Sequence, residues 1–180
     1  MNTGMIATRY AKALLESACD AQCEDAMYET AKLILQITKN DHALWLALSQ
    51  QHISLNDKRK LIMTVANQSE GSFYARFTDV LIANKRESYL IAIIHAYTVK
   101  YRRMKNIMAA TFTTAFEPSQ KQVDDLVCKL EKNLHATIEL DVQTNHQLLG
   151  GFILDLEHIN IDASIKRRLQ DFQNQFTQSY

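Results

Sequence analysis

Cysteine and histidine are the residues of this chain best suited to metal binding or nucleophilic chemistry, but their spacing does not build a site. Cys19 and Cys23 stand four positions apart, and no second pair of cysteines or histidines completes a zinc-binding set. The odd count, with Cys128 as the third cysteine, argues against a closed disulfide framework and fits a reducing compartment. The six histidines are scattered: His42, His52, His95, His135, His146 and His158. We therefore expect plain thiols and no metal.

The motifs of common enzymes are also missing from the sequence. Gly150-Gly151 is not followed by Lys-Ser or Lys-Thr, so it does not form a phosphate-binding loop. No G-x-G-x-x-G, G-x-S-x-G or H-E-x-x-H pattern occurs. The paired carboxylates Asp124-Asp125 fall on the polar side of a predicted helix, where solvation explains them. An enzyme would need catalytic residues that converge from distant positions, so we expect no catalytic activity and no cofactor.

Basic residues cluster in four places, which leaves nucleic-acid binding open as an alternative. The clusters are Lys58-Arg59-Lys60, Lys85-Arg86, Lys100–Lys105 and Lys166-Arg167-Arg168. In the third cluster Tyr101 lies among the cations, as in surfaces that bind RNA. The same cations also suit a helix C-terminus, because they meet the negative end of its dipole. Twenty basic and twenty acidic residues cancel, which disfavours a dedicated nucleic-acid binder.

The elements that carry these residues follow two different periods. Residues 1–105 show apolar residues at helical spacing in six successive segments, with one proline and four glycines in the whole chain. The first predicted helix carries Tyr10, Ala11 and Leu14, and the fifth carries Phe73, Phe77, Val80 and Leu81. Asp41 is expected to cap a short third helix, and Ser54 with Asp57 forms a capping pattern for the fourth.

Strand periodicity begins after residue 105. Alternating residues around Met108–Phe112 and Ile138–Val142 predict strands, and Ser119 with Gln122 predicts a capped helix between them. A further strand near Ile159–Ile161 and a last helix with Ile165, Leu169, Phe172 and Phe176 follow. We predict a mainly α protein: a six-helix N-terminal bundle over 1–105 and a small α+β domain over 106–180.

Hydropathy gives an expectation about location. No apolar run approaches the roughly 20 residues that a membrane span requires. The helical pattern begins by Ile6, which leaves no room for a signal or transit peptide. We expect a soluble protein that reaches a membrane only through a partner.

Several segments resemble the delta subunit of F-type ATP synthases, whose mitochondrial counterpart is the oligomycin sensitivity-conferring protein. Thr8–Leu14 is similar to the family's opening R-Y-A-x-A-L segment, and Leu81–Arg86 is similar to its leucine-x-x-asparagine-lysine-arginine helix end. The stretch from Ile138 to Glu157, which holds the double glycine, resembles the family's C-terminal signature. Asp155 and Ala163 depart from the family's usual residues.

The resemblance implies a non-catalytic stator subunit that joins the catalytic head to the peripheral stalk, so that rotation is coupled to ATP synthesis. It implies a groove between the first and fifth helices for the N-terminal helix of an alpha subunit, formed by Tyr10, Ala11, Leu14, Phe73, Phe77, Val80 and Leu81. It also implies a segment that holds the C-terminal end of the b subunit, formed by Gly150, Gly151, Phe152, Leu154, Leu169 and Phe172. No nucleic acid or small-molecule substrate is implied. The expected location is the cytoplasmic face of a bacterial inner membrane, as a peripheral part of the complex. The alternatives are a helical RNA-binding module that uses the basic clusters and a small enzyme with a convergent pocket.

Overall fold

In the described residues, helices form the first part of the chain, and the second part holds a four-stranded sheet, one long helix and the helical residues 165–169. The computed structural model describes residues 3–40, 53–69, 71–156 and 159–169, in two units, Met1–Met104 and Lys105–Tyr180. The helices of the first unit are α1 (Thr3–Asp20), α2 (Glu24–Asn40), α3 (Leu55–Val65), α4 (Phe73–Ala83) and α5 (Leu90–Lys105). The mainly helical fold with a small C-terminal sheet is confirmed. The predicted third helix, with Asp41, Leu44, Trp45 and Leu48, lies outside the described residues.

Serine side chains cap the starts of helices in both units, and Ser54 and Ser119 do so at predicted positions. The Ser54 hydroxyl accepts a hydrogen bond from the Asp57 backbone N–H at 3.1 Å. Ser119 and Gln122 form a complete capping box. Ser72, which the sequence analysis did not single out, caps α4 through the backbone N–H of Ala75. Each hydroxyl satisfies an N–H group that the first helical turn leaves unpaired.

The core of the first unit joins α2 to α5 through tyrosines. The rings of Tyr28 and Tyr101 stack with their centres 4.1 Å apart. The Tyr101 hydroxyl donates to the Asp25 carboxylate at 2.7 Å, and the Tyr97 hydroxyl donates to the Glu24 carbonyl at 3.0 Å. These phenols bury their rings and still satisfy their polar ends. Tyr101 is therefore a core residue and does not belong to an exposed basic surface.

A buried ion pair connects α3 to the short 3-10 helix Glu87–Tyr89, which precedes α5. Lys58 Nζ donates to Glu87 Oε1 at 2.9 Å, and both residues are less than a tenth exposed. A charge in such a place is tolerated only while its partner remains, because neither group keeps its hydration shell.

The second unit is a sheet in the order β2-β1-β3-β4, formed by β1 (Ile107–Thr114), β2 (Thr137–Thr144), β3 (Phe152–Leu156) and β4 (Ile159–Asp162). The first two strands are parallel, and α6 (Gln120–Leu134) connects them. The other two pairings are antiparallel. Val127, Leu130 and Leu134 of α6 pack on a buried cluster of Ala110, Ile138, Leu154 and Leu156.

We expect Glu87→Ala to lower the free energy of unfolding by about 3–5 kcal/mol, because it leaves a buried lysine without its carboxylate. Urea unfolding followed by far-ultraviolet circular dichroism measures this. The matched control is Arg59→Ala, which removes the exposed Arg59–Asp79 pair and should cost no more than about 1 kcal/mol. Equal losses in the two variants would contradict the role of burial.

Candidate functional site

An open apolar groove runs between α1 and α4, and α4 corresponds to the predicted fifth helix. Its volume is about 280 Å³, and Tyr10, Leu14, Phe73, Phe77 and Val80 all contribute to its wall. Helical spacing explains this convergence, because residues three, four and seven positions apart share one face of a helix. The structure thus brings five of the seven predicted groove residues together.

The other two predicted groove residues belong to the core. Ala11 and Leu81 are both 0% exposed, and neither lines the groove. Each stands next to a groove residue in sequence but points about 100° around the helix from it. The expectation that Ala11 and Leu81 contact a partner is corrected accordingly.

Three further residues line the groove and were missed in the sequence. They are Ala13, Ser17 and Arg76. Ala13 and Ser17 follow Tyr10 at helical spacing, and Arg76 follows Phe73 by three residues, so extending both stripes to small and polar residues would have found them.

Exposure separates the groove's floor from its rim. Phe77 is 9% exposed, whereas Val80 is 51% exposed. Arg86 stands over the Tyr10 ring with its guanidinium carbon 5.6 Å from the ring centre, a distance typical of a cation–π contact. The groove therefore offers an apolar floor, one exposed valine and nearby cations, which suits contact with another helix better than chemistry.

The double glycine of the second unit has a structural reason inside that unit. The Gly150 carbonyl accepts a hydrogen bond from the Ile165 backbone N–H at 3.0 Å, and the Phe152 carbonyl accepts one from Ala163 at 2.9 Å. A β-carbon at Gly151 would stand 2.3 Å from the Ala163 carbonyl oxygen, and Gly151 has φ +77°. Both observations require glycine, because the chain passes too closely for any side chain.

The predicted stalk-binding residues do not form one exposed surface. Gly150 is buried, Leu154 is 3% exposed, and Phe152 packs against Phe112 with ring centres 5.5 Å apart. Leu169 is 51% exposed, and Phe172 lies outside the described residues. The expectation that Gly150 and Leu154 contact a partner is corrected, because both are used within the fold.

Exposed apolar side chains in this unit lie elsewhere. The edge strand β4 shows Ile159 and Ile161 at 48% and 44% exposure, and Ile165 is 46% exposed. In the sequence, the alternation of Ile159 and Ile161 marked a strand, but it could not show that the strand lies at the edge of the sheet.

The structure gives little support to a catalytic or metal site. Within the described ranges no group of three or more histidine, cysteine, aspartate or glutamate side chains is placed to hold a metal ion. Burial raises the pKa of the Cys23 thiol and of the Tyr74 phenol, which keeps both protonated and weakens them as nucleophiles. In the part of the chain that the structure describes, no helix is long and apolar enough to cross a membrane.

The basic clusters are partly engaged within the first unit. Lys58 is held by Glu87, and Arg59 Nε donates to the Asp79 carboxylate at 2.6 Å. The Arg59 hydrogen bond holds the pKa of Asp79 below its usual range. Because Tyr101 is also buried, the aromatic that favoured RNA binding is not available for stacking on a base.

Comparison with known proteins assigns the chain to a family. The family described as ATP synthase delta (OSCP) subunit matches residues 6–176. The ATP synthase subunit delta of Parabacteroides distasonis is 33% identical over 173 residues, covering 96% of both chains. That of Bacteroides thetaiotaomicron is 32% identical, covering 98% of this chain and 96% of its own. The chain belongs to the ATP synthase delta (OSCP) subunit family, as its resemblance indicated.

A solved structure shares the fold at low sequence identity. One chain of the Toxoplasma gondii mitochondrial ATP synthase hexamer superposes with a TM-score of 0.70 at 19% identity. The match covers 95% of this chain and 97% of that one. The same backbone thus persists where four fifths of the residues differ.

We expect Gly151→Ala to destabilise the second unit by about 3 kcal/mol, because the methyl group meets backbone and the residue must keep a positive φ. Differential scanning calorimetry measures the loss as a lower melting temperature. Gly71→Ala is the control: Gly71 also has a positive φ, but its β-carbon would meet nothing within 4 Å, so about 1 kcal/mol is expected. Gly151→Ala that melts like the wild type would contradict the close approach.

Proposed function

We propose that this chain is the non-catalytic subunit that connects the catalytic head of an F-type ATP synthase to its peripheral stalk. The observation that carries the proposal is the open apolar groove between α1 and α4. A groove with a buried aromatic floor and an exposed apolar rim is suited to hold an amphipathic helix. The membership in the delta subunit family supplies the complex in which such a helix would be found.

The first unit, in this proposal, docks on the head. We propose that residues 1–105 complete the six-helix bundle that the sequence predicts, and that its groove receives the N-terminal helix of an alpha subunit. Tyr10, Leu14, Phe73, Phe77 and Val80 provide the apolar contacts. Leu14 and Phe77 are the most buried of these residues, at 4% and 9% exposure, which gives them an anchoring role. Val80 is the most exposed, at 51%, and covers the partner helix from the rim.

The second unit, over residues 106–180, holds the C-terminal end of the b subunit. The support comes from the apolar side chains that β4 and the residues after it leave exposed, namely Ile159, Ile161, Ile165 and Leu169. An edge strand also offers backbone hydrogen-bonding groups to a partner. Gly150 and Gly151 contribute by allowing the Ala163–Ile165 segment to pass, not by contact with the stalk.

The role is mechanical. A stator has to resist rotary torque, so its two interfaces must dissociate slowly, and buried apolar contact is the physical basis of slow dissociation. The chain itself needs no cofactor or substrate for this role. It sits at the cytoplasmic face of the bacterial inner membrane, where the rest of the complex holds it peripherally.

Val80→Asp tests the groove. We expect it to raise the Kd for a synthetic peptide of the first 20 or so residues of the alpha subunit about tenfold or more, because binding would desolvate a carboxylate. Isothermal titration calorimetry measures the affinity, and apolar burial should give the wild type a negative heat-capacity change.

The matched control for this test is Val99→Asp. Val99 is 54% exposed on α5 and lines neither the groove nor its rim, so its replacement should leave the affinity unchanged. Val80 is preferred over Phe77 because a charge at a 9% exposed position would also unfold the bundle. A wild-type chain that is folded and does not bind the peptide would overturn the proposed docking on the head.

The two-unit assignment gives a separate prediction. A fragment of residues 1–105 should unfold cooperatively and bind the alpha peptide with the affinity of the full chain, because the groove and its supporting core lie within it. Urea titration and calorimetry measure both properties. A fragment that unfolds gradually would show that the second unit is needed for the fold of the first.

A further inference from the structure

A second cavity adjoins the groove and extends it along α1. Its volume is about 500 Å³, and it shares Tyr10 and Ala13 with the groove. Met5, which is 72% exposed, lines its far end. From Met5 to Ser17 the two cavities follow α1 for about 18 Å, at 1.5 Å per residue. That length accommodates about three turns of a partner helix.

The charges along this extended groove have one sign. Arg9 and Arg86 line the second cavity, and Arg76 lines the first. Among the described residues that line the two cavities there is no aspartate or glutamate. The carboxylate next to Val80 in sequence, Asp79, is already held by Arg59 at 2.6 Å. A partner therefore meets guanidinium groups in both cavities.

We propose that the extended groove selects an amphipathic helix of about three turns that carries carboxylates beside its apolar stripe, facing the first cavity as well as the second. The inference rests on the proposed docking of a helix in the groove and adds the charge pattern that such a helix must have. Arg9 and Arg86 receive the carboxylates that face the second cavity, and Arg76 receives those that face the first. Arginine suits this task because its planar group binds a carboxylate through two parallel hydrogen bonds.

The arginines and the apolar floor act on different steps of binding. Charges at the rim of an interface raise the association rate and exclude partners of the wrong charge, whereas the buried anchors set the dissociation rate. We therefore expect the arginines to determine which helix binds. Leu14, Phe73 and Phe77 should determine how slowly the bound helix dissociates. An uncharged apolar helix would also fit the floor, but its binding would not depend on the salt concentration.

The test uses the full chain and two synthetic peptides. One peptide is the first 20 or so residues of the alpha subunit, and the second has every aspartate and glutamate replaced by its amide. Arg9→Gln, Arg76→Gln and Arg86→Gln are compared with Lys12→Gln, a control on α1 whose exposed side chain pairs with Glu16 and lines neither cavity. Stopped-flow fluorescence gives association and dissociation rates at low and at high NaCl.

Each groove arginine variant should weaken binding of the acidic peptide about two- to fivefold, mainly through a slower association. The amide peptide should bind more weakly to the wild type, be insensitive to salt, and show no further loss with the arginine variants. Lys12→Gln should behave like the wild type. Comparing the arginine variants with both peptides is a double-mutant cycle. It separates the loss of the charge contact from any repacking of Tyr10 that follows the replacement of Arg86.

The outcomes separate this inference from the function on which it rests. Binding of both peptides with equal, salt-independent rates would overturn the charge pattern and leave helix docking intact. Arginine variants that lose no more affinity than Lys12→Gln would overturn it as well. A folded wild-type chain that binds neither peptide would overturn the docking itself, and the charge pattern with it.

Discussion

The helix α1 packs into the bundle core on one side and forms a wall of the groove on another. The structure of the first unit depends on how the residues of α1 are divided between these two sides. Ala7, Ala11 and Ala18 are at most 4% exposed, and such small side chains let the other elements approach the α1 backbone closely. Tyr10, Ala13 and Ser17 lie on the adjacent stripe and form one wall of the groove. Because the two stripes are about 100° apart, α1 packs firmly into the bundle while its other apolar side stays open.

The second unit depends on a different constraint, the close passage of one backbone segment over another. The hydrogen bonds from Ala163 and Ile165 to the carbonyls of Phe152 and Gly150 tie the segment after β4 to the start of β3. That passage leaves no space for a side chain at Gly151. Its consequence is that Ile165 and Leu169 are positioned by the fold yet half exposed, so the glycines determine where an apolar surface is presented.

Local patterns in the sequence predicted the helices and their caps, because these depend on neighbours within four residues. Ser54 and Ser119 illustrate this, since each hydroxyl finds its backbone N–H partner three residues on. The errors concern burial: Ala11 and Leu81 are apolar and lie next to groove residues in sequence, and periodicity alone does not tell the buried side of an apolar helix face from its open side. The burial of Tyr101 depends on contacts with Tyr28 and Asp25 more than 70 residues away, which no local pattern contains. The Lys58–Glu87 pair also joins two different elements, so no local pattern predicts it either.

The net charge of the chain is +0, but its positive and negative groups are unevenly distributed, because some carboxylates pair with cations between elements of the first unit. Glu87 and Asp79 neutralise Lys58 and Arg59 between elements of the first unit, whereas no carboxylate lines the extended groove among the residues described there. Exposed cations beside an apolar floor, such as Arg9 and Arg76, keep part of their hydration when a partner binds, so they cost less free energy than charges buried at its centre. In the proposed docking, the affinity comes from apolar burial and the choice of partner from the rim, and the two properties can be changed independently.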